Sequence, residues 1–211
     1  CYMTKAGKDV TLIARNAHLA AMKEQGLTVR HLWDGTTETV PVKAENMETY
    51  ESMIASAGEA AKPDVILVCV KGYSLDNTVP FVQKIAKKST IVIPILNIYG
   101  TGSRLQKKLP ELLVTDGCIY VSANIEGPGA LVQHGKILRV VFGVREKSEF
   151  REELKEIAKD FSDSGISGEL SENMRWRNSP TSLRSGQQVS IIMRRRPISR
   201  ERARSARHSR R

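Results

Sequence analysis

Apolar positions along this chain fall into short continuous runs separated by segments of helical period. Asp9–Ala14 (DVTLIA), Asp64–Val70 (DVILVCV) and Thr90–Leu96 (TIVIPIL) are apolar at nearly every position, the pattern of strands buried on both faces of a parallel sheet. Asn16 to about Gln25 reads as a helix capped by Asn16 and stopped by Gly26. Leu27–Trp33 and Glu38–Val42 alternate around the Asp34-Gly35 turn signal. Asn46–Ala61 reads as a helix or a loose connection, Ser74–Lys87 and Thr101–Leu109 as helices, and Leu112–Val121 as a further strand. Alternation of buried strand and helix predicts an α/β fold, a doubly wound parallel sheet with right-handed crossovers.

Downstream the pattern changes. Residues 130–143 (ALVQHGKILRVVFG) read as two short strands folded back at His134-Gly135-Lys136. Glu149–Phe161 carries Phe150, Leu154, Ile157, Ala158 and Phe161 on one helical stripe, and Gly165–Leu170 reads as a last strand. Beyond about Met174 the periodicity stops. The sequence therefore divides into an α/β body, 1–174, and an Arg/Ser-rich tail, 175–211, expected to be disordered.

Charge sharpens that division. The formal net charge is +10, but residues 194–211 hold nine Arg and one Glu, which leaves only +2 for the body. The basic tail supports an alternative reading, a nucleic-acid-binding protein on a degenerate Rossmann scaffold. Against it, the body has no RNA-binding motif. No apolar run reaches the roughly 20 residues needed to span a bilayer, and no signal peptide is seen, so a cytoplasmic protein with no membrane partner is expected. Cys1, Cys69 and Cys118 lack metal-ligand spacing, and no metal is expected. The chain starts at Cys1 and its first Met is Met3, which suggests a missing native start.

Three candidate site residues lie at strand ends, where open α/β sheets bind ligands. Arg15 follows the first strand. A carboxylate there binds a ribose 2′-hydroxyl, whereas a guanidinium fork suits a 2′-phosphate. Lys71 follows the second apolar run and offers a point charge for phosphate or ribose. Asn97 follows the third, and its carboxamide can donate and accept together. Gly100 and Gly102 would let a backbone approach a ligand, although an Asn/Gly turn explains that stretch equally well. Ala123, after the fourth strand, could lay its backbone against a cofactor. Glu126 and His134 qualify as acid/base groups by residue type only.

Taken together, DVTLIARNAHLAAMKEQGLTV, DVILVCVKGY, IVIPILNIYGTGSRL, GCIYVSANIEGPGALVQHG and VVFG resemble the ketopantoate reductase (2-dehydropantoate 2-reductase) family over roughly residues 8–174. The resemblance implies NADP as cofactor, ketopantoate as small-molecule substrate, and a step of pantothenate and coenzyme A biosynthesis. It implies Arg15 as the 2′-phosphate ligand, Lys71 as a cofactor-side lysine, Asn97 as a contact for nicotinamide and substrate, and Ala123 as a backbone neighbour of the nicotinamide. Another NADP-dependent hydroxyacid dehydrogenase is a further alternative.

Three departures are visible. The family's opening strand and G-x-G-x-x-G/A turn are missing before Cys1. The glycine expected directly after Asn97 is lost or shifted. The family's catalytic lysine follows a Trp, but Trp176 is followed by Arg177 and no lysine occurs after Lys159. The resemblance thus implies an incomplete Rossmann-like sheet and a partial NADP-binding domain over 1–174, with the family's helical C-terminal domain expected to be missing and a weak or inactive copy expected, no catalytic residue being assigned. Loss of a central strand would expose a raw sheet edge, to be covered by a partner chain or a second copy.

Overall fold

A computed structural model describes residues 1–174 and 189–194. The elements are α1 (Tyr2–Lys5), β1 (Asp9–Ile13), α2 (Asn16–Gln25), β2 (Leu27–His31), β3 (Thr37–Val40), β4 (Lys43–Glu45), α3 (Met47–Ala57), β5 (Val65–Cys69), α4 (Val79–Ile85), β6 (Ile91–Pro94), α5 (Thr101–Lys108), β7 (Leu113–Val114), β8 (Asp116–Gly127), β9 (Ala130–Gly143), α6 (Glu153–Asp163), β10 (Ser167–Ser171) and β11 (Val189–Arg194). They form a six-stranded sheet in the order β4-β1-β11-β5-β6-β7. A five-stranded sheet orders β10-β9-β2-β3, with β8 paired to β9.

The buried runs behave as their pattern requires. In β5, Val65 and Leu67 join one apolar cluster with Val10, Leu12, Ile91, Ile93, Leu154, Ile157 and Phe161. Ile66 and Val68 join another with Ile13, Tyr50, Ile54, Phe81, Val82, Ile85 and Val92. Successive residues point to opposite faces, and each face is covered, one by α6 and the second sheet, the other by α3 and α4. Residues 175–211 as a wholly disordered tail need correcting, because Val189–Arg194 forms β11 in the centre of the first sheet. The rest of that tail lies outside the described residues.

β11 reverses the direction of its neighbours. β1 pairs with β4, β5 with β6 and β6 with β7 in parallel, whereas β11 is antiparallel to both β1 and β5. Val189 lies opposite Cys69, and Ser190 opposite both Ile13 and Val68. Arg194 lies opposite Asp9 at the other end. The strand place left empty by the sequence pattern is thus filled by the chain itself, which corrects the raw edge expected from the sequence. Met193 is 1% exposed and packs into the first cluster.

Two further expectations change. Leu112–Val121 is split between β7 of one sheet and β8 of the other, so the chain crosses between sheets at Thr115. The fold-back expected at His134-Gly135-Lys136 is instead at Pro128-Gly129, and 130–143 is one strand. Its register jumps from Ala123↔Gln133 to Val121↔Leu138, so residues 134–137 bulge out of the ladder.

The reversed register has a direct check. Directly opposed residues of antiparallel strands have Cα atoms about 4.5–5.5 Å apart, inside the ~4.4–6.8 Å range of disulfides. Val189→Cys is expected to form a disulfide with native Cys69 under mild oxidation, seen by peptide mapping. A parallel or undocked strand would leave residues 69 and 189 unlinked.

Candidate functional site

The carboxyl ends of β1 and β5 face the β8–β9 turn across a cavity of about 430 Å3. Ala14, Arg15, Asn16, Ala17 and His18 line it from the first strand and its helix. Lys71 and Tyr73 contribute from the second, and Ile125–Pro128 form the opposite wall. Arg15 and Lys71, predicted separately from strand ends, meet in this one cavity.

Local geometry explains the Arg15 position. Ala14 N–H donates to the Glu45 carbonyl, so the β1 ladder runs to the last residue before the turn. Arg15 is extended and caps α2, while Asn16 adopts a left-handed φ of 54°, which Asn tolerates better than most residues. This corrects the expected cap by one residue. Arg15 is exposed at the cavity wall, beside the amino end of α2, whose partial positive charge favours an anion.

His18, which no motif in the sequence marks, ties the cavity walls together. Gly129 N–H donates to His18 Nδ1 at 2.9 Å, linking the first turn of α2 to the β8–β9 turn. Gly129 has φ 69°, and a Cβ there would sit 2.9 Å from the Ala21 Cβ, so the turn seats against α2 only as glycine. His18 is 7% exposed and burial lowers its pKa below 6.5. The accepted hydrogen bond requires Nδ1 to be unprotonated.

Carboxylates near the cavity are held by other cations. Glu126 pairs with Arg30, whose Nε lies 3.2 Å from Oε2, and the pairing lowers the Glu126 pKa. Glu45, at the end of the neighbouring strand β4, pairs with Lys23 Nζ at 2.6 Å. Lys71 has no ion-pair partner among the described residues. With Arg15 and Lys71 on its walls, the cavity presents positive charge to a ligand, as anionic oxygens require.

Of the remaining candidates, Asn97 follows β6 on this rim, whereas Ala123 lies within β8 of the second sheet, which corrects its expected place after a strand of the parallel sheet. Asn97 is not part of the cavity lining. Its Nδ2 donates to the Ile119 carbonyl at 3.0 Å and its Oδ1 accepts from Ile119 N–H at 3.1 Å, so the carboxamide acts as one more strand rung between the end of β6 and β8. One N–H and one lone pair stay available. Ala123 of β8 pairs with Gln133 of β9, two residues before the cavity wall begins at Ile125.

Gly102 serves packing rather than a ligand. A Cβ there would lie 2.3 Å from Asp116 Oδ1 and from the Thr115 carbonyl. Its N–H donates to Asp116 Oδ1 at 2.9 Å. Burial raises the Asp116 pKa, against the pull of Arg145. Glu126 lines the cavity but is paired with Arg30, and His134 Nε2 meets Asn124 Oδ1 on the exposed bulge, outside the cavity lining. No group of residues able to hold a metal ion occurs among the described residues, nor a helix long and apolar enough to cross a membrane.

Comparison with known proteins bears on the family and the fold. The family described as Ketopantoate reductase PanE/ApbA matches residues 1–147. A 2-dehydropantoate 2-reductase of Pyrococcus horikoshii is 27% identical over 180 residues, 82% of this chain and 51% of its own length. The uncharacterized oxidoreductase YkpB of Bacillus subtilis is 24% identical over 141 residues, 67% of this chain and 43% of its own. Among solved structures, a PanE/ApbA family ketopantoate reductase from Ralstonia eutropha has a TM-score of 0.67 at 24% identity, covering 82% of this chain and 52% of that one. A D-mandelate dehydrogenase solved with NADH and anilino(oxo)acetate has a TM-score of 0.66 at 23% identity, covering 81% and 51%. The chain thus spans about half the length of the relatives it matches.

The His18 tie predicts a pH effect with a definite sign. The folded pKa lies below the unfolded 6.5, so the unfolded chain binds more protons in acid. The tie's contribution is then complete above the unfolded value and falls away as pH drops through it. Between pH ~7.5 and ~5.5 the thermal midpoint of the native chain should fall further than that of His18→Gln. Equal falls would show that His18 does not titrate against the fold.

Proposed function

The chain belongs to the ketopantoate reductase family, and from that premise we propose that it is the nucleotide-binding part of an NADP-dependent reductase of 2-dehydropantoate 2-reductase type. Its substrate class is a small 2-oxo acid such as ketopantoate, reduced in the cytoplasm toward pantothenate. The carrying observation is the meeting of Arg15 and Lys71 in one cavity at the carboxyl rim of a parallel sheet. Arg15 would hold the 2′-phosphate of the adenosine ribose through its guanidinium fork, with Lys71 as a second positive charge. In a complete site of this type, Asn97 would turn its spare N–H and lone pair toward the nicotinamide and the substrate, and the Ala123 backbone would border the nicotinamide.

NADPH, when bound, supplies the hydride for the ketone carbon. The chain's own contribution is to bind and orient. Ketone reduction also needs a proton donor to the forming alkoxide, and no described residue on this rim is placed for that work. Arg177, the nearest basic residue after Trp176 in sequence, lies outside the described residues, and a guanidinium does not release protons near neutrality.

Two outcomes follow. Mixed with NADPH and ketopantoate, the purified chain should consume reduced nicotinamide no faster than buffer; sustained turnover would overturn the inactive-copy reading. In binding titrations the native chain should prefer NADPH to NADH. Arg15→Ala should remove one charge-assisted contact, about 1.5–3 kcal/mol, roughly a ten- to hundredfold loss for NADPH with little change for NADH. Equal losses for both nucleotides would remove Arg15 from the 2′-phosphate.

A further inference from the structure

The reversed central strand bears on how much of a dinucleotide this chain can hold. In a doubly wound sheet the diphosphate is held where the central strand leaves the carboxyl rim, turns tightly and enters a helix, whose first N–H groups face the phosphates. That arrangement requires the strand to run toward the rim. Here the central place belongs to β11, which starts at the rim beside Ile13 and Cys69 and runs away from it. Its far end is fixed at the opposite edge, where Asp64 N–H donates to the Met193 carbonyl at 3.1 Å. A strand in this direction delivers no strand-to-helix turn to the rim at the centre of the sheet. Both β1 and β5 already pair with β11 across this position, so a parallel strand cannot be added beside it.

The adenosine side is affected differently. Arg15, the amino end of α2 and the wall Ile125–Pro128 stand on elements whose direction is ordinary, and His18 locks helix to wall. We infer that this chain carries a half-site: it takes adenosine 2′-phosphates as a class, and gains nothing from the diphosphate or the nicotinamide beyond them. This rests on the reading of Arg15 as a 2′-phosphate ligand. In a complete dinucleotide site the two halves add their binding energies through one covalently joined ligand; here the second half has no seat.

The test is calorimetric titration of the full chain with four nucleotides: NADPH, adenosine 2′,5′-bisphosphate, 5′-AMP and nicotinamide mononucleotide. The bisphosphate and NADPH are expected to bind within about tenfold of one another. 5′-AMP should be weaker than the bisphosphate by more than about tenfold, and the mononucleotide should give no binding heat. NADPH binding more than about tenfold tighter than the bisphosphate, or any binding of the mononucleotide, would overturn the half-site and leave the Arg15 reading standing. If neither NADPH nor the bisphosphate binds, or if 5′-AMP binds as well as the bisphosphate, the Arg15 reading falls and the half-site falls with it.

Discussion

Backbone pairing at the centre of the six-stranded sheet is the constraint on which the rest of the structure depends. β1 and β5 are buried on both faces, and their facing edges carry N–H and C=O groups that water cannot reach once the helices are in place. Unpaired, each such group costs about 1–3 kcal/mol. β11 answers both edges at once, with five residues in register on β1 and five on β5. Through that pairing the carboxyl ends of β1 and β5 are held at a fixed separation. Arg15 and Lys71 owe their shared cavity to it. The helices on either face pack on a surface that exists only when the two halves of the sheet are joined.

The direction of β11 has a topological origin. A parallel neighbour for β1 and β5 would have to enter at the same edge as they do, through a right-handed crossover. A segment far along the chain, reached after the second sheet and α6 are complete, carries no such requirement. Either direction satisfies the ladders, and antiparallel pairing is slightly the more stable per residue. What changes is what appears at the rim. The sheet is repaired as a scaffold but not as a diphosphate cradle, and scaffold and site thereby become separable properties of one fold.

Much of the scaffold is legible in the order of residues alone. Continuous apolar runs mark β1, β5 and β6, because only strands buried on both faces have no use for alternation. The pattern leaves Asn46–Ala61 as a helix or a loose connection; the structure places α3 there, capped by Asn46, whose side chain accepts from Thr49 N–H. β11 is not legible. VSIIMR is a short run inside Arg/Ser-rich surroundings, and its place is decided by a vacancy elsewhere in the fold rather than by local propensity. The β8–β9 turn is misread for a related reason. His134-Gly135-Lys136 and Pro128-Gly129 both carry turn chemistry, and the contact between Gly129 and α2, distant in sequence, selects the second. Among site residues, Arg15 and Lys71 follow from the strand-end rule. His18 does not, because a histidine in the first turn of a helix looks like any surface residue until Gly129 is set beside it.

Charge at the rim is arranged by subtraction. Glu126 and Glu45 both lie near the cavity, and either could have repelled a phosphate or bound a ribose hydroxyl. Each is instead paired with a cation, Glu126 on the cavity wall with Arg30 of β2 and Glu45 with Lys23 on α2. Exposed pairs of this kind contribute about 0–1 kcal/mol to stability, so their effect on the fold is slight. Their effect on the ligand is larger, because they decide which charges face it. Arg15 and Lys71 stand beside the positive end of α2, and three sources of the same sign converge on one small volume. A rim with an uncommitted carboxylate would select the 2′-hydroxyl. On the proposed reading of Arg15, this one, whose carboxylates already have cations, would favour the phosphorylated ribose through residues of β2 and α2 that need never touch the nucleotide.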